Sequence, residues 1–182
     1  RRRVNAKKAL LMEYCILKTH IIDIQKAARE GNLVVFAGAG VSNNSGVPVW
    51  NKLTDAFKIE PPEFARNMSD DLKRAQIYKT TYPAKFLEIV RTVLRDGEIV
   101  PNAIHNAILD LKPCHLITTN YDDLIEQACK ERFELYQAVS SDEDMTSIPN
   151  THIILKMHGE YSKGNIVLAE EDYYDYSRNF PL

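Results

Sequence analysis

Three short stretches hold residue types that could do chemistry together. Gly38-Ala39-Gly40-Val41-Ser42, Thr118-Thr119-Asn120-Tyr121-Asp122 and Lys156-Met157-His158-Gly159 each close a β-rich apolar run. Small residues after a strand let the backbone approach a pyrophosphate, whose charge amides or a following helix N-terminus can hold. The glycines depart from the common dinucleotide fingerprint, G-x-G-x-x-G. Its third glycine would fall on Asn43, and the acid expected about 20 residues on would fall in residues 51–60, which read as helix. A plain strand-to-helix turn is the alternative reading. Gly46-Val47-Pro48-Val49-Trp50 adds a rigid turn and an aromatic, as in an ordered loop over a ligand. Asn120 fits either a helix N-cap or an amide aimed into a cleft, and Asp122 and Asp123 suit a first helical turn. His158 brings a side chain that titrates near neutrality, although a lone histidine is more often structural. His105, inside "PNAIHNAILDL", reads as a helix-packing residue, His20 and His115 carry no supporting pattern, and His152 starts a strand.

The elements that must position these residues alternate between strand and helix. Residues 7–30 read as one helix with an apolar stripe, Leu10, Tyr14, Leu17, Ile21, Ile24 and Ala28, stopped by Gly31-Asn32. The stripe is expected to pack on its own domain, with a subunit contact as the alternative. Strands are expected at 33–37, 114–119, 133–139 and 152–157, with a short fifth at 165–168. Helices are expected at 52–57, 64–79, 84–95, 101–111 and 121–131, with an acidic one from Glu170; Ser140 to Asn150 reads as loop. Alternation of this kind implies an α/β fold: a Rossmann-like parallel sheet with helices on both faces. Ligands then bind beyond the carboxyl ends of the strands. The expected division is an N-terminal helix, 1–32, followed by the first part of a nucleotide-binding domain, 33–182.

Composition narrows the class. The 182 residues are 45% hydrophobic and 26% charged, with a formal net charge of −2, which excludes a global pull toward nucleic acid or anionic membrane. The basic start, Arg1 to Arg3 with Lys7 and Lys8, is local. No apolar run approaches the ~20 residues of a membrane span, and no secretory signal is visible. Cys15, Cys114 and Cys129 are odd in number and widely spaced, as free thiols in a cytoplasmic protein would be. The first residue is Arg rather than Met, so the chain reads as a piece of a longer protein.

In this order the three stretches resemble the sirtuin family: GAGxS, then TxNxD, then HG. "PNAIHNAILDLKPCHLITTNYDDLIEQA" resembles that family's helix–strand–helix around its Asn and Asp, and the likeness covers most of residues 33–160. The chain lacks the four cysteines of the deacylating sirtuins' zinc module, and Val49-Trp50-Asn51 stands where their loop usually reads Phe-Arg. The strand end before His158-Gly159 and the tail "VLAEEDYYDYSRNFPL" resemble the bacterial defence-associated sirtuins instead. That resemblance implies an NAD+ nucleosidase, a hydrolase of an N-glycosyl bond, which splits NAD to nicotinamide and ADP-ribose and depletes it in anti-phage defence by abortive infection. It implies Asn120 and His158 as catalytic residues. Gly38, Ala39, Gly40 and Ser42 would bind the phosphates, Pro48 and Trp50 the loop over nicotinamide, and Asp122 the carboxamide. NAD is then substrate, no metal is required, homo-oligomers are expected, and a phage-protein trigger would act through other regions. Adenosine contacts are expected beyond residue 182. An NAD-dependent protein deacylase and a non-catalytic nucleotide-sensing or assembly module are the alternatives.

Overall fold

The computed structural model describes residues 17–48, 50–58, 63, 66–94, 99–146 and 152–176. Leu10, Tyr14, Cys15, Val49, Phe64, Arg95 and the tail from 177 therefore lie outside the described residues, as does the later part of the expected 140–150 loop.

The strands are β1 (Val34–Ala37), β2 (His115–Thr118), β3 (Tyr136–Val139) and β4 (His152–Lys156). They form one parallel sheet in the order β1-β2-β4-β3. The helices are α1 (residues 17–29), α2 (Gly40–Asn43), α3 (Trp50–Ala56), α4 (Asp71–Thr81), α5 (Pro83–Leu94), α6 (Ala103–Asp110), α7 (Leu124–Glu131), α8 (Asp142–Met145) and α9 (Glu170–Tyr174). This is the expected Rossmann-like α/β class. The register aligns Ala37 with Thr118 and Thr118 with Lys156, so three strands end side by side and the residues just after them converge.

Two buried clusters hold the fold. Ala37, Leu116 and Ile154, inward along their strands, meet Leu109 of α6 and Ile125, Ala128 and Cys129 of α7. Beyond the strands' carboxyl ends, α3, α4 and α5 pack around Phe57, Tyr78, Phe86 and Val90, with Phe57 stacked on Phe86 at 5.2 Å between ring centroids. Ile166, Leu168 and Ala169 join this second cluster. Fully burying an apolar side chain of this size is worth about 1.5–3 kcal/mol, so the second cluster is a firm roof over the strand ends.

Local chemistry decides where elements begin. Asp70 accepts from the amides of Leu72 and Lys73 (3.0 and 3.2 Å), so α4 starts at Asp71 rather than at 64. Asn102 accepts from Ile104 N–H at 2.8 Å, so α6 starts after the cap, two residues beyond Pro101. Residues 165–168 form no strand. They run over the domain, with Val167 N–H donating to the His158 carbonyl (3.0 Å) and Tyr121 Oη donating to the Val167 carbonyl (2.7 Å). The stretch expected to be loop contains α8, whose Asp144 accepts from Ser140 and Ser141 N–H. Finally, Gly31-Asn32 ends α1 as expected, Asn32 N–H returning to the Ala27 carbonyl (2.9 Å). Among the described residues of the α1 stripe, Leu17, Ile21 and Ile24 are exposed and only Ala28 is half-buried.

Candidate active site

A cavity of about 230 Å³ lies at the carboxyl ends of β2 and β4, under Trp50 and Leu53 of α3 and beside Tyr173 of α9. Ala39, Pro48, Trp50, Asn120, Asp122 and His158 all line it. Gly38, Gly40 and Ser42 are not part of the lining, and Ser42 is fully buried. No atom would come within 4 Å of a Cβ built on Gly38 or Gly40. Their lack of a side chain answers no crowding from the protein itself.

Asn120 is held by two contacts. Its amide N–H donates to Thr118 Oγ1 (3.0 Å), and its Nδ2 donates to Ser42 Oγ (3.0 Å), which joins the second strand end to the glycine loop. Asn120 is 5% exposed, and its Oδ1 is buried with no hydrogen-bond partner among the described residues. A buried acceptor left so costs free energy comparable to a lost hydrogen bond, which is affordable where a ligand completes it. The N-cap role that competed for Asn120 belongs elsewhere. α7 begins at Leu124, and Asp122 Oδ1 accepts from the Leu124 amide (3.2 Å).

Asp122 is fixed from a side the sequence did not flag. Lys156, 1% exposed, donates from Nζ to the Asp122 carbonyl (2.6 Å) and to Glu126 Oε1 (2.7 Å). Burial pushes the Glu126 carboxyl above its ordinary value, against the pull of the Lys156 ammonium. The available signal was a lysine at an inward position of "HIILK", where a charge needs a partner. Beyond Asp122 a second cavity, about 480 Å³, shares Leu94, Tyr121 and Asp122 with the first.

His158 sits among tyrosines. Its ring centroid lies 6.2 Å from Tyr121, 5.7 Å from Tyr173 and 6.3 Å from Tyr176, the last two edge-on. Burial lowers its pKa from the ordinary 6.5, which favours the neutral imidazole a proton acceptor must be. Gly159 follows at φ +74°, and a Cβ there would lie 1.9 Å from the Asn165 carbonyl oxygen. The turn that presents His158 thus accepts only glycine. His105 is buried, as a packing residue should be, but its Nδ1 also accepts from Asn102 N–H (3.1 Å).

A family model described as a SIR2-like domain matches residues 115–181, the segment carrying β2 through β4 with Asn120 and His158. Defense-associated sirtuin 2 of Bacillus subtilis is 38% identical over 173 residues, 89% of this chain and 17% of that protein. Residues 115–181 thus match a SIR2-like domain, within a chain similar over most of its length to a defence-associated sirtuin. The chain is also 29% identical over 167 residues to NAD(+) hydrolase ThsA of Bacillus cereus, covering 89% of this chain and 35% of that protein. Similarity to an NAD-dependent protein deacylase of Bdellovibrio bacteriovorus is 30% over 109 residues, 53% of this chain and 41% of that protein. The chain therefore spans about a sixth of the defence protein's length and about a third of the hydrolase's. Among the described residues no group of three or more His, Cys, Asp and Glu is placed to hold a metal ion, and no helix is long and apolar enough to cross a membrane.

Proposed function

We propose that this domain is an NAD+ nucleosidase that hydrolyses the bond between nicotinamide and ribose, and that it serves as an NAD-depleting effector of anti-phage defence. One observation carries the reading: Ala39 of the glycine loop, Asn120 and His158 line one cavity, and Asn120 Nδ2 ties back to Ser42 of that loop. Its 230 Å³ is smaller than the ~300–1,000 Å³ of most small-molecule sites, which suits the nicotinamide–ribose end rather than a whole dinucleotide. NAD hydrolase relatives align over 87% to 91% of the chain and deacylase relatives over 53% and 77%, which favours hydrolysis.

In the proposed reaction the C1′–N bond breaks with its electron pair passing to the pyridinium nitrogen, so nicotinamide leaves neutral and positive charge collects on the ribose. Water adds at C1′ and gives a proton to neutral His158. Asn120 orients that water or a ribose hydroxyl through its unpartnered oxygen, and Asp122 holds the carboxamide of nicotinamide. Gly38, Ala39 and Gly40 carry the diphosphate at the loop, with Ser42 holding Asn120 from behind. Pro48 and Trp50 close over the nicotinamide. General-base help is worth about 10²–10⁴-fold; orientation in a water-poor cleft supplies the rest.

Incubation with NAD+ should release nicotinamide and ADP-ribose. Asn120→Ala and His158→Ala should each lower that release by about 100-fold or more, with thermal melting showing a retained fold. Near-normal turnover in either variant overturns the mechanism. Formation of O-acyl-ADP-ribose from an acetyl-lysine peptide would instead establish the deacylase.

A further inference from the structure

We propose that Asn102 is a positioning residue for this reaction, fixing the glycine-loop segment that in turn holds Asn120. The proposal deepens the NAD-hydrolase reading and rests on it. Both amide hydrogens of Asn102 are spent on that segment: Nδ2 donates to the Val41 carbonyl (2.8 Å) and to Ser45 Oγ (2.8 Å). Between these two attachments sits Ser42, fully buried, whose hydroxyl accepts from Asn120 Nδ2. The one-turn helix α2 that carries Ser42 has no side-chain cap. One turn has little stability of its own, so its placement depends on ties from outside, and Asn102 supplies two of them across some sixty residues of sequence. Asn102 is itself held, because its N–H donates to Nδ1 of the buried His105 (3.1 Å) and its Oδ1 accepts from Ile104 N–H. Movement of Asn102 would pass through Ser42 to the carboxamide at the reacting face.

A bland role competes, since Asn102 also caps α6. Asn102→Asp separates the two. Aspartate caps a helix as well as asparagine and keeps the acceptor for Ile104, but it loses both donors and sets a carboxylate against the Val41 carbonyl. Loss of two part-buried hydrogen bonds lowers the melting temperature under either reading, so turnover decides. If Asn102 only caps, kcat and KM per folded molecule stay at wild-type values, and that result overturns the proposal. If it positions, kcat for nicotinamide release falls about 10–100-fold with a smaller change in KM. Ser45→Ala, which removes one tie and leaves the cap, should lower kcat less, and it carries the test if Asn102→Asp does not fold; unchanged kcat in Ser45→Ala would then overturn the proposal. Hydrogen exchange of the amides of residues 41–45 and the side-chain amide signals of Asn120 give readouts independent of turnover. Faster exchange and displaced Asn120 signals support positioning, and unchanged ones overturn it. Should the wild type release no nicotinamide, the hydrolase reading fails while these two readouts still decide the role of Asn102.

Discussion

Asn120 and His158 show how a side chain's chemistry follows from what surrounds it. The Asn120 carboxamide uses its nitrogen on Ser42, while its buried oxygen keeps no partner among the described residues and the residue lines the cavity, so one group is anchored and still has an acceptor to satisfy. His158, among three tyrosine rings, is held toward its neutral form by burial. A base must be neutral to accept a proton, so the acid limb of the pH–rate profile should have its midpoint below pH 6.5 and be lost in His158→Ala. A wild-type midpoint above 6.5 in kcat/KM would argue that a different group limits the rate.

At the scale of elements, the strand ends are set by a few rigid devices. Gly159→Ala should be damaging: a positive φ costs a side chain about 1–3 kcal/mol, and the added Cβ meets backbone at Asn165. The turn would shift, and His158 with it. We expect both a lower melting temperature and a loss of nicotinamide release; a soluble variant with normal values of both would contradict the geometry. The Lys156–Glu126 pair joins the end of β4 to the first turn of α7. Lys156→Met should be destabilising, by less than the about 3–5 kcal/mol of a fully buried pair, because it leaves the half-buried Glu126 without its cation and the Asp122 carbonyl without its donor. Lys156→Met with Glu126→Leu should recover part of that loss. Urea titration of the three proteins measures both steps.

For the whole molecule, acidification should act in two separate windows. Burial lowers the pKa of both His105 and His158 below 6.5. Between the folded and unfolded values the unfolded chain binds more protons, so stability is full above pH 6.5 and falls as the pH drops below it. Asp144 works further down. Burial opposes its ionisation, but the Lys163 ammonium and the Ser140 and Ser141 amides hold its carboxyl down to about 2, so its contribution is lost only below the ordinary carboxylate range. Melting temperature followed from pH 8 to pH 4 should begin to decline near 6.5. The decline above pH 5 should shrink in His105→Ala and His158→Ala, each compared with its own value at pH 8.

The alternation of strands with helices, the glycine loop, and the Asn and His at the ends of the second and fourth strands were all legible in the sequence. Each depends on local periodicity or on what a given residue type does after a strand, and a parallel sheet gathers strand ends whatever the details. The chain order alone therefore placed Ala39, Asn120, Asp122 and His158 near one another. Which of two local roles Asn120 plays was not legible, because N-cap and cleft amide ask for the same residue at the same place. Only the fold, by starting α7 at Leu124 and bringing Ser42 within 3.0 Å, removed the cap. The α1 stripe had the right period for packing, but a period cannot say against what, and Leu17, Ile21 and Ile24 are exposed. Asn102, Ser45 and Lys156 gained their roles from partners roughly thirty to sixty residues away, a separation that no local pattern encodes and that tertiary packing alone closes.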